Sequence, residues 1–511
     1  MMGEVFTGEQ MTASRELACD VCVIGSGAGG AVIAAKLAEA GHSVVVLEEG
    51  GEFTRADWIA LREDVSYPLM YQERGGRATT DRAITLLQGR ALGGSTVVNW
   101  TTALRVSERT TRHWQEAHGL ETWGQDALAP HFEAVERRLN VAPWPLSLAN
   151  ENNMALHRGC ESLGWEVRNL PRNVRDCANT GYCGLGCPTD AKQSMHRTYI
   201  QDALAAGAIV HVDCKAERLE VEGGRVVAVH ANILDRKSGR GGPVRVTVRP
   251  SVTVCAAGAV NGPALLLRSG IKAGGVGTRT WLHPVVAVVG EYAHDVHGWY
   301  GAPQSVSSHE FIDRGAAAGF FMEAAPVHPM LSSIASMGFG EDQAAFLERL
   351  VRSSVLIALQ QDGMLGDPGG TVGIDRAGNP TLSYPFHTTL MEGFQAAYVA
   401  LSKVHLGAGA QRAMTLHRTP VVMDGPAGLP ALADASYGPL EHRVFSAHAM
   451  GGCVMGNDPA TSVVGQDLRH HAVRNLFVMD GSVFPTSLGV NPTITIAAGV
   501  HKSAAGVLAA L

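Results

Sequence analysis

The sequence predicts an α/β protein: a Rossmann-like nucleotide-binding domain completed by segments from far along the chain, with a second, discontinuous domain interleaved between them. Three observations carry this prediction. A glycine-rich β-α-β unit stands near the N-terminus, three further nucleotide-like segments are scattered over the rest, and 511 residues at 46% hydrophobic can bury more than one core.

The first unit begins at Cys19 and reads CDVCVIGSGAGGAVIAAKLAEAGHSVVVLEEGG. A β-branched run, a glycine turn, an alanine-rich helical stretch and a second β-branched run follow one another, which is the β-α-β order. Gly25, Gly27 and Gly30 stand at G-x-G-x-x-G spacing where strand meets helix, a pattern that permits a tight turn and close backbone approach to a pyrophosphate. Glu48 ends the second strand, at the distance that suits a carboxylate bonding ribose hydroxyls. Cys19 and Cys22 share this strand and read as small core residues, not as a redox pair.

The second segment, Gln88 to Asn99 (QGRALGGSTVVN), carries Gly93 and Gly94 where backbone amides can line a flat ring system. The third, Val252 to Ala259, is a strand ending in small residues, and the fourth, Asn475 to Ser482, is a strand ending in the acid Asp480. Segments this far apart must fold together to form one site. The β-α-β unit alone does not separate NAD from FAD.

Net charge of -7 and a pI near 6.3 give no basic face, which disfavours nucleic acid and anionic lipid as partners and favours small, mostly uncharged substrates. No stretch of 18 apolar residues predicts a transmembrane segment, and the opening MMGEVFTGEQMTASRE lacks the apolar core of a signal peptide. Nine cysteines, three of them clustered at Cys177, Cys183 and Cys187, do not form an extracellular disulfide framework. The expected compartment is the cytoplasm. Near the end, the run SAHAMGGC places His448 among small and apolar residues, a setting that describes a packed turn as well as an active site.

Taken together, GSGAGG with LEEGG, GRALGGSTVVN, CAAGAVNGPALLLRSG at 255–270, LHPVV at 282–286, and the closing pair HAMGGC and MDGSVFPTSLGVNPTITIAAG resemble the glucose-methanol-choline (GMC) oxidoreductases. These are FAD enzymes that oxidise alcohols, and the tail is most similar to that of long-chain alcohol oxidases and cholesterol oxidases. The resemblance implies an FAD-binding domain at 17–100, 200–285 and 436–511. It implies a substrate-binding domain, built on an antiparallel sheet roofing the flavin, at 101–199 and 286–435.

It also implies roles. His448 would be the base that takes the hydroxyl proton while hydride passes to flavin N5, because neutral imidazole has a pKa near the operating pH. Asn491 would donate a hydrogen bond to the same oxygen, or else cap the helix that follows Pro492. Beside Gly25, Gly27, Gly30 and Glu48, the cofactor contacts would be Gly93, Gly94, Asn99, Ala216, Asp480 and Thr493. Cholesterol oxidases set a glutamate beside the histidine, and Glu323 and Asp362 are the candidates here. Residues 318 to 359, with Met322, Met330 and Met337, read mostly as core; the roof they belong to also lines the pocket, which suggests a small apolar alcohol as substrate. Oxygen or another electron acceptor would complete the cycle.

Two alternatives stay open. One is a flavin-containing lyase of the same fold that cleaves cyanohydrins, and the other is a dehydrogenase linked to an iron-sulfur cluster at Cys177, Cys183 and Cys187. The expectation is no metal, because four thiolates are the usual full set. FAD is expected to be non-covalent, since Val98 occupies the place where some relatives carry a flavin-linked histidine. Acid precipitation of the yellow protein should therefore release intact FAD into the supernatant, and flavin absorbance retained in the pellet would contradict this reading.

Overall fold

The computed structural model describes residues 2–511. The β-branched run Arg15–Ile24 forms a parallel strand between Val44–Leu47 on one side and Gly241–Cys255 on the other. Ile209–His211 and then Glu4–Phe6 extend the first side, also in parallel. Gly241–Cys255 is 15 residues long and serves two partners along its outer edge. Its first half pairs antiparallel with Arg225–Leu234, which in turn pairs with Cys214–Glu222; its last residues pair in parallel with Leu476–Val478. Three distant segments thereby meet at one sheet end.

Gly25 leaves the first strand at φ 97°, a conformation open to glycine and strained for residues with a Cβ. The chain then enters the helix Gly30–Glu39, whose buried face (Val32, Ile33, Leu37) packs against the sheet. Contact at the helix start is so close that a Cβ on Gly30 would overlap the Gly25 carbonyl oxygen. Cys22 is fully buried and Cys19 lies beside it; burial pushes the Cys19 thiol up to about 12 and raises Cys22, as core packing requires.

The second sheet is antiparallel and runs, by neighbours, through Val422–Met423, Arg412–Thr415, Val285–Glu291, Ser353–Gln360, Phe320–Ala324, Val306–Ser308 and Arg168–Asn169. Its side chains alternate strictly between two faces. Val286, Val288, Phe320, Met322, Leu356 and Ala358 pack beneath the helices Glu151–Leu163 and Thr388–Gly407. Val285, Ala287, Phe321, Ile357 and Leu359 face the other way. Met322 is thus core on the far face, while Met330 in the helix Pro329–Ala335 and Met337 after it lie away from the cavity.

Sheet membership departs from the expected boundaries. Ile84–Leu86 and Val444–Ser446 pair with each other and join the second sheet through Val285–Phe445, although both fall in segments assigned to the first domain. Conversely, the helices Glu108–His118 and Gln125–Arg138 contribute Trp114 and Phe132 to the first domain's core, and the turn Glu121–Trp123 between them adds Trp123. The physical reason is the helix Thr493–Leu508, which buries Ile494, Ala497, Ala498, Val500 and Val507 and needs cover on more than one side. Among the described residues, no helix is long and apolar enough to cross a membrane.

Because Gly30 has no room for a methyl group, Gly30→Ala should cost about 1–3 kcal/mol of stability and weaken FAD retention, read by urea titration and by flavin content after gel filtration.

Candidate active site

Between the two sheets lies a cavity of about 800 Å³. Gly25, Gly27, Glu48, Gly94, Asn99, Ala216, Asp480, Asn491, Thr493 and His448 all line it, so residues spread over most of the chain converge on one space. Gly30 and Gly93 stand one step back. Gly30 provides the close helix packing already described, and Gly93 donates its N–H to Ser26 Oγ at 2.8 Å.

Two acids on the nucleotide side, Glu48 and Asp480, accept backbone N–H groups. Glu48 accepts from Ser26 N at 3.0 Å, Ser26 Oγ at 2.6 Å and Gly50 N at 2.8 Å, yet burial still pushes its carboxyl up to about 7. Asp480 accepts from Ser482 N at 2.8 Å and Gly258 N at 2.7 Å, and burial raises it too. It closes its own turn and ties two strand ends together. Asn99 donates to Thr493 Oγ1 at 3.4 Å, linking the second glycine segment to the start of the last helix. That helix opens at the cavity, where its first amides have no partner within the helix. The groups present fit a dinucleotide with a flat ring: Gly27 and Gly94 approach so closely that a Cβ on Gly94 would lie 2.7 Å from Gly27 Cα.

At the other end, Ser446 pins the His448 loop by accepting from His448 N at 3.1 Å while donating to the Leu282 carbonyl. This brings His448 against His283, with the two Nδ1 atoms 3.1 Å apart. Burial pushes His448 down to about 4 and His283 well below the usual histidine range, so both rings are neutral. Gly489 donates its backbone N–H to His283 Nε2 at 2.9 Å. His283 itself is fully buried at φ 45°, and Asp362 holds it there by accepting from the backbone N–H groups of Leu282 at 2.8 Å and His283 at 3.1 Å.

Asn491 does not cap the helix; Pro492 is the capping residue. Its amide instead donates to Glu323 Oε2 at 3.3 Å, leaving its own Oδ1 buried without a partner. Glu323 also accepts from Gln304 Nε2 at 2.6 Å. Of the two acid candidates, Glu323 therefore lies directly behind Asn491, and Asp362 lies behind His283. Neither lines the cavity. The roof adds Val285, Ile357, Leu359 and Phe445 to the lining, with Trp100 beside them.

The run LHPVV by itself assigns His283 no role. Its signal, a histidine followed by proline at the start of a β-branched run, became meaningful only with the fold. The cysteine loop forms a separate small void with Arg172 and Lys192. All nine thiols are unpaired, and among the described residues no three histidine, cysteine or acidic side chains are grouped to hold a metal.

A Rossmann unit, a second glycine turn and a helix start, all bordering one cavity under an antiparallel roof, define a flavoprotein oxidoreductase. The chain belongs to the GMC oxidoreductase family, whose N-terminal model matches residues 67–285 and whose C-terminal model matches 390–499; an NAD(P)-binding Rossmann-like model matches 23–55. It is an FAD-dependent enzyme. An uncharacterised GMC-type oxidoreductase of Mycobacterium tuberculosis is 32% identical over 94% of this chain and 74% of its own length. The long-chain-alcohol oxidase FAO4B of Arabidopsis thaliana is 30% identical over 94% of this chain and 66% of its own. Pyridoxine 4-oxidase from Mesorbium loti shares the fold, with a TM-score of 0.71 at 19% identity over 96% of this chain and 99% of that one.

Burial raises Glu323 to about 8, so the folded state holds its proton where the unfolded chain has lost it. An acid shifted upward destabilises the fold as pH climbs from its ordinary value near 4.5 through about 8. Glu323→Gln should therefore melt progressively higher than the parent protein as pH rises from 5 to 9; parallel melting curves across that range would show that the carboxyl does not ionise there.

Proposed function

We propose that the protein oxidises an apolar alcohol to the aldehyde or ketone, with His448 and Asn491 holding the reacting oxygen. When bound, FAD supplies the hydride acceptor. The observation that carries the reading is that these two polar side chains share the cavity with a roof of Val285, Ile357, Leu359 and Phe445, a surface suited to a hydrocarbon.

The chain's own residues account for the remaining requirements. The roof keeps bulk water from the carbon end of the substrate, which strengthens each hydrogen bond made inside. Neutral His448 binds the oxygen without a fixed positive charge that would oppose hydride departure. Glu323 and Gln304 fix the Asn491 amide, so its orientation is set before substrate arrives. The name of the Arabidopsis relatives, long-chain-alcohol oxidases, supports the substrate class and oxygen as acceptor.

Anaerobic addition of a straight-chain alcohol should bleach the flavin, whereas a lyase would leave it oxidised. His448→Ala should keep FAD and slow that bleaching by about a hundredfold or more, the range for losing one oriented group at the reacting oxygen. Unchanged bleaching in the variant would remove His448 from the site.

A further inference from the structure

We propose that the buried ammonium of Lys192 favours the reduced form of the cofactor, its charge acting through the wall of the FAD cavity at residues 97–99. The proposal rests on FAD being the cofactor and is independent of which substrate is oxidised.

Lys192 Nζ donates to three carbonyl oxygens, those of Val97 at 2.7 Å, Asn99 at 2.6 Å and Cys183 at 2.9 Å. Three acceptors on one nitrogen call for three N–H groups, which an ammonium has and a neutral amine lacks. The side chain is buried, and the titratable groups facing it are Cys183, Cys187 and Arg172, with no acid among them. Arg172 is a second buried cation of the same kind. It lies over the Trp144 ring at 4.8 Å, its Nη2 is 3.6 Å from Cys183 Sγ, and its Nε and Nη1 have no partner. Two buried cations without a carboxylate are costly to keep, and negative charge arriving nearby offsets that cost.

The cavity is where such charge arrives. Val98, Asn99 and Trp100 line it, so the ammonium stands one peptide layer behind its surface. Adding a peptide's thickness and a van der Waals contact to the 2.6 Å hydrogen bond puts the charge about 8 Å from an atom resting on that surface. The ammonium is also fixed in place. The loop that offers the Cys183 carbonyl is tied down by Tyr71 Oη, which donates to the Gly184 carbonyl at 2.6 Å, and by Ser66 Oγ, which donates to the Leu185 carbonyl at 3.1 Å. Two electrons and one proton leave a flavin one unit more negative, and Lys192 favours that state. The coupling is reciprocal. Burial pushes the Lys192 ammonium down to about 8, and a more negative flavin raises it again, so just above pH 8 reduction draws a proton from solvent onto Nζ.

The test is anaerobic reduction of FAD-loaded protein by dithionite in the presence of a redox dye of known potential, with no alcohol added. Lys192→Gln keeps N–H donors for the wall carbonyls and removes the charge. At a given dye ratio it should hold about tenfold less reduced flavin than the parent, a fall of about 30 mV for a two-electron couple. Lys192→Met, which removes the donors as well, should fall by a similar factor. A parent-like potential in the glutamine variant would show that Lys192 acts by bonding alone and would overturn the proposal. The parent protein gives an independent reading that needs no variant to fold. Protons taken up per flavin on reduction, followed with a pH indicator, should rise between pH 7.5 and 9 toward one extra; uptake that does not rise there would also overturn it.

Discussion

The molecule depends on the pairing of Gly241–Cys255 with Arg15–Ile24. This parallel contact joins the N-terminal glycine unit to a strand from the middle of the chain, and the same strand accepts Leu476–Val478 on its other edge. Gly25, Gly258 and Asp480 thereby arrive at one sheet end, where a doubly wound sheet binds its ligand. Without that register the four nucleotide-like segments would have no common site.

What was readable in the sequence follows from how local each signal is. The glycine unit depends on spacing within about thirty residues, so strand, turn, helix and Glu48 were all legible. His448 and Asn491 were legible only through resemblance, because small apolar neighbours do not distinguish a pocket from a core. Glu323 could be named but not placed, since its neighbour Asn491 is 168 positions away. His283 was missed because its interest lies in the direction of two hydrogen bonds. Met322 follows from strand alternation once the register is known: it shares a face with Phe320 and Ala324, opposite the cavity.

Four buried acids around the cavity serve as hydrogen-bond acceptors. Glu48, Asp480 and Asp362 each accept backbone N–H groups, and Glu323 accepts two side-chain amides. Burial raises all four, while the hydrogen bonds they accept tie neighbouring segments together. At the reaction end, the same bonding fixes the orientation of Asn491 and of the backbone at His283.

The order of segments around the cavity also bears on how the protein is made. The first glycine turn is made well before Phe445, His448, Asp480 and the helix Thr493–Leu508, which complete the cavity it borders. Until those segments are made, the apolar face of the Arg15–Ile24 sheet has neither its later strand nor its covering helix, and it is exposed to unwanted association. Cofactor capture consequently waits on these later segments.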